Sequence, residues 1–126
     1  MAISNYLSAA WLNATLANVS YTSPATPYVA LYSVAPTVST GGTELTGSGY
    51  ARVALTANVV NSTATSTANV VFGPATATWS QAVSWAVCDA STAGNILYFN
   101  SLIPTQTVQN TNSLNFQTGN ITTTLN

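Results

Sequence analysis

Only three of the 126 residues, Glu44, Arg52 and Asp89, carry a charged side chain, and the chain contains neither lysine nor histidine. Because general acid/base catalysis usually needs a histidine or a tuned pair of carboxylates, this composition argues against an enzyme and predicts no catalytic residue, cofactor or metal site. A single arginine cannot neutralise several phosphates, so we also expect no nucleic-acid partner and no binding to an anionic membrane surface.

The rest of the composition indicates a folded chain that associates. Hydrophobic residues make up 47% of the chain, too many for disorder, and 52 residues are Thr, Ser, Asn or Gln. With a net charge of only −1, copies repel each other weakly, so we expect a homo-oligomer in an assembly. The apolar run at residues 82–88 is too short to span a membrane, and the N-terminal residues do not resemble a secretory signal.

The first predicted element is a helix. Ser4 is a favoured N-cap residue, and Leu7 and Trp11 follow it at helical spacing, which predicts a helix over residues 5–18. Two prolines come soon afterwards and prevent the helix from continuing. We therefore expect residues 1–20 to form an N-terminal helical arm.

The remainder of the chain alternates between strand and turn patterns. Residues 28–32 are apolar on both faces, which predicts a strand covered on two sides, and residues 50–56 alternate as a half-buried strand does. The threonine-rich residues 61–67 are predicted to be a mobile hairpin tip. Further strands are predicted at residues 69–72, 76–79, 83–88, 95–100, 106–108, 114–117 and 121–125.

Short strands at this spacing predict the fold class. The pattern is typical of a mainly β protein, an antiparallel β-sandwich that could be jelly-roll-like, with one N-terminal α-helix. No linker divides the sequence, so we expect a single domain over residues 1–126, with the sandwich at residues 27–126. Cys88, the single cysteine, is predicted to fill a buried strand position.

The three charged residues are the first candidate site. Arg52 can pair with Glu44 or with Asp89, and such an ion pair would fix a loop in a structural role. The two carboxylates could in principle act as a glycosidase pair, but both fall in predicted loops, which disfavours that hypothesis.

Aromatic residues supply the other candidates. Trp79, Trp85 and the six tyrosines could form a platform for sugar stacking, but core packing is the commoner fate of aromatic residues, and Trp85 is predicted to lie in the core. On the helix, Tyr6, Leu7 and Trp11 are the candidate interface residues.

Several short segments carry a family resemblance when their order and spacing are taken together. They are residues 4–7, 28–32, 35–37, 42–45, 49–52, 75–79, 89–90, 94–97 and 121–125. In these segments the chain resembles small bacteriophage virion proteins, labelled tail-fibre-like or capsid cement (decoration) proteins. The resemblance implies a non-enzymatic structural protein of the virion, assembled in the cytoplasm of the host bacterium.

Two locations in the virion are compatible with this resemblance. The leading hypothesis is a cement protein that binds the outer surface of the head lattice and stabilises it, with the major capsid protein and copies of itself as partners. The alternative is a tail-fibre or baseplate component with tail proteins as partners. A carbohydrate-binding adhesin module is a third hypothesis.

Overall fold

The computed structural model describes residues 1–125, so Asn126, the last residue of the predicted domain, lies outside the described residues. Within this range the chain forms one helix and eleven strands, which confirms the mainly β fold class with an N-terminal helix. In chain order they are β1 (Ala2–Ile3), α1 (Asn5–Leu16), β2 (Tyr28–Val34), β3 (Thr43–Glu44), β4 (Val53–Ala54), β5 (Ala57–Val60), β6 (Thr63–Ser66), β7 (Val70–Phe72), β8 (Ala82–Cys88), β9 (Ile96–Gln106), β10 (Leu114–Phe116) and β11 (Thr122–Thr124).

The ends of helix α1 follow from its local sequence. Ser4 caps its start as predicted, because Ser4 Oγ accepts a hydrogen bond from Leu7 N at 3.2 Å. The helix ends two residues earlier than predicted, since Asn18 adopts a left-handed conformation with φ of 56°. The Val19 N–H then turns back to donate to Asn13 O at 3.1 Å, which satisfies a carbonyl group near the end of the helix.

Helix α1 is held to the sheet by its first turn. Leu7 is its only buried residue, whereas Trp11 is 45% exposed, so the predicted apolar stripe does not face the core along its whole length. Strand β1 pairs with β9 directly before the helix, and Ser4 N donates to Leu97 O at 3.0 Å. Strand β1 and this hydrogen bond thus join the start of the N-terminal segment to the large sheet.

All strand pairs are antiparallel, and they form three sheets. The large sheet has the order β1-β9-β8-β2-β3, with β4 also pairing with β2. A three-stranded sheet has the order β11-β6-β5, and β10 pairs with β7. A jelly roll would place eight strands in two sheets, so the observed topology differs from that variant of the prediction.

The central strands β2 and β8 are buried on both faces, as predicted for residues 28–32. One face contributes Leu31, Val87 and Trp85 to the main core, where they join Phe72 and Leu97. The opposite face forms a second cluster of Ala30, Tyr32, Ala86 and Cys88. The predicted core positions of Trp85 and Cys88 are confirmed.

The hairpin tip predicted at residues 61–67 is confined to the turn at residues 61–62, because residues 63–66 form strand β6. Asn61, with φ of 54°, begins a tight turn, and β6 then runs between β5 and β11. Ser66 at the end of β6 is buried, and its hydroxyl accepts hydrogen bonds from Gly119 N at 3.1 Å and Ile121 N at 3.3 Å. These distant partners hold the segment in a regular strand.

Three strand predictions also fail, and one of them is at residues 106–108, where only Gln106 lies in a strand, as the last residue of β9. Residues 76–79 do not form a strand, because Thr76 N donates to Ser48 O and Trp79 N donates to Val108 O, so their bonds go to two different segments. The strand predicted at residues 50–56 is reduced to the two residues of β4. Within residues 1–125, no helix has the length and apolar character needed to cross a membrane.

The position of Phe72 generates a stability prediction. Its ring is fully buried in the main core and packs against Tyr50 and Phe116. Phe72→Ala is expected to lower the free energy of unfolding by about 3–5 kcal/mol, since it removes buried surface and leaves a cavity. Val71→Ala, at an exposed position on the same strand, is the control and should change stability by less than about 0.5 kcal/mol. Urea denaturation would measure both, and equal effects would contradict the core assignment.

Candidate functional site

The first candidate site lies where the edge of β2 changes partners. Strand β4 pairs with the start of β2 and β3 pairs with its end, so Leu31 falls between the two. The Leu31 N–H donates to the hydroxyl oxygen of Tyr50 at 2.9 Å, and Leu31 O accepts from Leu45 N at 3.0 Å. The side chain of Tyr50 therefore supplies a hydrogen bond that a neighbouring strand would otherwise make.

Tyr50 connects this edge to the ion pair. Its hydroxyl donates to Glu44 Oε1 at 2.9 Å. Arg52 binds the same carboxylate with two parallel hydrogen bonds, from Nε to Oε1 at 2.8 Å and from Nη2 to Oε2 at 2.7 Å. The Arg52 side chain is only 9% exposed and that of Glu44 is 24% exposed, so water screens the pair incompletely.

Arg52 also holds the loop between β8 and β9. Its Nη1 donates to Ala90 O and to Ala93 O, both at 2.8 Å. Asp89 does not pair with Arg52. Its carboxylate instead accepts from Asn95 N at 2.7 Å and from Asn95 Nδ2 at 2.9 Å, closing the same loop from within. Of the predicted ion-pair residues, the structure thus brings together Arg52 and Glu44, with Asp89 in the neighbouring loop.

Gly94 lets this loop come close to Asp89. Its φ of 71° lies in the left-handed region, and an added Cβ would collide with the Asp89 carboxylate and with Ala90. Only glycine therefore fits this position without a shift of the loop.

The pKa shifts at and near the ion pair of Glu44 and Arg52 suit a fixed structural contact. Burial opposes ionisation of Glu44, but the hydrogen bonds from Arg52 and Tyr50 outweigh it and hold the pKa of Glu44 below its usual value. The hydrogen bond to Glu44 raises the pKa of Arg52, although burial acts in the other direction. Burial raises the pKa values of Tyr50 and Cys88. These shifts keep the ion pair charged at neutral pH and the tyrosine and thiol protonated.

A cavity of about 550 Å³ lies beside the ion pair. Its lining includes Glu44 and Arg52, the start of α1 at Ser4, and the loops at residues 37–42 and 93–96. The two charged groups are already bonded to each other, and the rest of the lining combines neutral polar side chains such as Thr37 and Asn95 with apolar ones such as Val38 and Ile96. Among residues 1–125 no group of three or more His, Cys, Asp or Glu side chains could hold a metal ion.

The predicted interface residues divide between core and surface. Tyr6 and Trp11 are both partly exposed, but Leu7 is buried in the main core and is not available to a partner, which corrects its assignment. Sequence reasoning passed over the most exposed apolar residues of the helix, Leu12 and Leu16, which lie four residues apart on one face.

The structure contradicts the sugar-stacking hypothesis at both of its tryptophans. Trp79 is buried, its Nε1 donates to Ser48 O at 2.8 Å, and its ring meets that of Tyr50 edge-on with centroids 5.5 Å apart. Trp85 is buried as well. A stacking platform built on either tryptophan is therefore wrong.

An apolar groove of about 510 Å³ is a further feature that the sequence did not indicate. It runs between α1 and the three-stranded sheet, and its lining includes Trp11, Tyr21, Val59 and Leu125. The groove was missed because neither β5 nor β6 was predicted, so nothing placed Val59 opposite the helix.

The ion pair generates a pH prediction. Because the pKa of Glu44 is lower in the folded chain than in the unfolded chain, its stabilisation is complete above the unfolded-state pKa and is lost as the pH falls through the folded-state value. At neutral pH, Glu44→Gln should lower the free energy of unfolding by about 2 kcal/mol, because it removes charged hydrogen bonds. The loss should shrink in acid.

Asp89→Asn is the matched control for this experiment, since it also replaces one carboxylate by an amide but leaves the pair of Glu44 and Arg52 in place. Urea denaturation at neutral pH and in acid would measure both variants. If Glu44→Gln kept the full pH dependence of the parent chain, the assigned role of Glu44 would be refuted.

The comparisons with known proteins agree with a structural role. No curated protein matches the sequence. A family model described as podophage GP4 fiber I protein gp80 matches residues 2–124, which is nearly the whole chain. This match confirms the resemblance to small bacteriophage virion proteins. The chain therefore belongs to the podophage GP4 fiber I protein gp80 family and is a structural component of a bacteriophage virion.

Proposed function

We propose that this protein is a non-enzymatic subunit of a fibre on the phage particle. The observation that carries the proposal is the match of nearly the whole chain to a family of fibre proteins. The geometry supports it, because the strongest polar network of the molecule is engaged in holding strands and loops together. Glu44 and Asp89 are both hydrogen-bonded within the fold, Glu44 to Tyr50 and Arg52 and Asp89 to Asn95.

Attachment of the subunit rests on apolar contact in this proposal. Leu12 and Leu16 project from the second half of α1, which contains no buried residue. Since charged side chains are absent from this helix, the partner surface would be neutral and apolar as well. The expected partner is another structural protein of the tail, with further copies of the chain beside it.

A cement protein on the head lattice is the second candidate. It is favoured by the packing of the large sheet and the two-stranded sheet around one core, which makes a single compact body suited to covering a lattice site. In this case the partner would be the major capsid protein.

The copy number and location of the protein in purified particles distinguish the two candidates. A fibre subunit is expected at the tail, in a small multiple of the tail symmetry, whereas a cement protein would occur once for each lattice site on the head. Quantitative mass spectrometry would give the copy number, and a density map of the particle would give the location. Density covering the head lattice would reject the fibre proposal.

The helix surface generates a prediction about attachment. Leu16→Asp places a charge where the side chain is 81% exposed, so the fold should lose less than about 0.5 kcal/mol. Its incorporation into particles should fall about tenfold, because a buried unpaired charge opposes docking. Attachment of the parent chain should persist in about 1 M NaCl, since apolar contact is not screened by salt.

Ile103→Asp is the matched control, as it introduces the same charge at an apolar residue that is 87% exposed on β9. It should be incorporated like the parent chain. Complementation of a phage lacking the gene, followed by immunoblotting of purified particles, would compare the two variants. Equal incorporation of both would show that the helix face is not the attachment surface.

A further inference from the structure

Strand β5 is an open edge of the three-stranded sheet. It pairs with β6 on one side, and within residues 1–125 no strand pairs with its other side. All four of its residues, Ala57–Val60, are exposed. In an antiparallel ladder, alternate residues direct their backbone N–H and C=O groups away from the paired strand. The outer edge of β5 therefore offers donors and acceptors for one more strand.

This edge lacks the features that normally prevent pairing between molecules. Edge strands are usually blunted by lysine, proline, an inward charge or a β-bulge. The sequence Ala57-Asn58-Val59-Val60 contains none of these residues, and its register with β6 is continuous over four pairs. The side chain of Val59 is 67% exposed, so the edge is apolar as well as open.

The edge continues into the apolar groove. Ala57 and Val59, two residues apart on one face of β5, line this groove together with Trp11 and Leu125. A strand added to β5 would thus pair with its backbone while its side chains covered part of the groove.

The chain exposes more surface than expected for a compact monomer of its mass, and such an interface could cover the difference. The described residues expose 6952 Å², whereas a compact monomer of 13.0 kDa is expected to expose about 6300 Å². The excess of about 600 Å² approaches the roughly 800 Å² that each partner contributes to a stable interface.

The charge distribution permits a second copy as the partner. None of the three charged side chains lies in β5 or lines the groove. Two identical copies would therefore meet without electrostatic repulsion. If β5 of one copy pairs antiparallel with β5 of the other, the outward N–H and C=O groups of the two strands have the same spacing and can bond to each other.

We propose that two copies of this chain pair through β5 about a two-fold axis, which joins the two three-stranded sheets into one six-stranded sheet. Val59 of each copy packs beside β5 of its partner. This inference deepens the proposed function, on which it rests, by naming a second copy as one partner of the structural subunit.

Sedimentation velocity of the full chain from about 1 μM to about 1 mM would test the proposal. A monomer–dimer equilibrium is expected. Val59→Lys should raise the dimer dissociation constant at least about tenfold, because it places a like charge from each copy at the pairing strands. Val34→Lys is the control, since it makes the same substitution at an exposed position on β2, which already has neighbours on both sides, and should dimerise like the parent chain.

Hydrogen exchange on the parent chain gives a readout that does not depend on the folding of a variant. Amides of β5 should exchange more slowly at high concentration than at low concentration, while those of β7 stay unchanged. A monomer at every concentration, a ring or filament, equal dimerisation of both lysine variants, or unchanged exchange in β5 would each overturn the proposal. Fibre location in the particle is measured separately, so a failure of dimerisation is distinguishable from a failure of the proposed function.

Discussion

The hydrogen bond from the Leu31 backbone to the Tyr50 hydroxyl is the contact on which the architecture of this chain depends. Strand β2 lies in the middle of the large sheet, yet its partner changes from β4 to β3 along one edge. A buried N–H without a partner at that point would carry the full desolvation penalty of a lost hydrogen bond. The Tyr50 hydroxyl accepts a hydrogen bond from this N–H group and so removes the penalty. Glu44, which is bonded to Arg52, accepts from the same hydroxyl and holds it in place.

One ion pair thereby connects segments that are distant in sequence. Glu44 lies on β3, Arg52 precedes β4, and the carbonyls of Ala90 and Ala93 lie in the loop between β8 and β9. A bidentate arginine is suited to this task because its five donors have a fixed geometry and its charge persists at every physiological pH. The third charged side chain, Asp89, lies in the same loop but is bonded to Asn95, so it does not replace Glu44 as the partner of Arg52.

The sequence predicted the parts of the fold that depend on local signals. Ser4 as a helix cap, the two-sided burial of residues 28–32 and the core position of Trp85 all follow from residue type and spacing. The segments that sequence reasoning missed depend on distant partners. Residues 63–66 form a strand because they pair with residues near Ile121, to which Ser66 is hydrogen-bonded, and no local sequence pattern predicts this pairing.

The sequence predicted which charged residues form the candidate site, but not the direction in which the Arg52 side chain points. Alternation at residues 50–56 placed Arg52 on the face opposite Val53 and Leu55, whereas the structure turns its side chain inward toward Glu44 and two carbonyl oxygens. Ala51, which the same alternation places on one face with Val53 and Leu55, is exposed. Hydrogen-bond partners contributed by other segments decide this orientation, and they override the simple alternation of a strand.

The buried position of Arg52 also affects how the chain withstands digestion. Proteases that cut after lysine or arginine find one such residue in the whole sequence, and its guanidinium group is engaged by a carboxylate and two backbone carbonyls. Cleavage there requires the sheet to open first, because the enzyme must take this side chain into its own specificity pocket. A particle component built in this way resists trypsin-like enzymes outside the cell for as long as it stays folded.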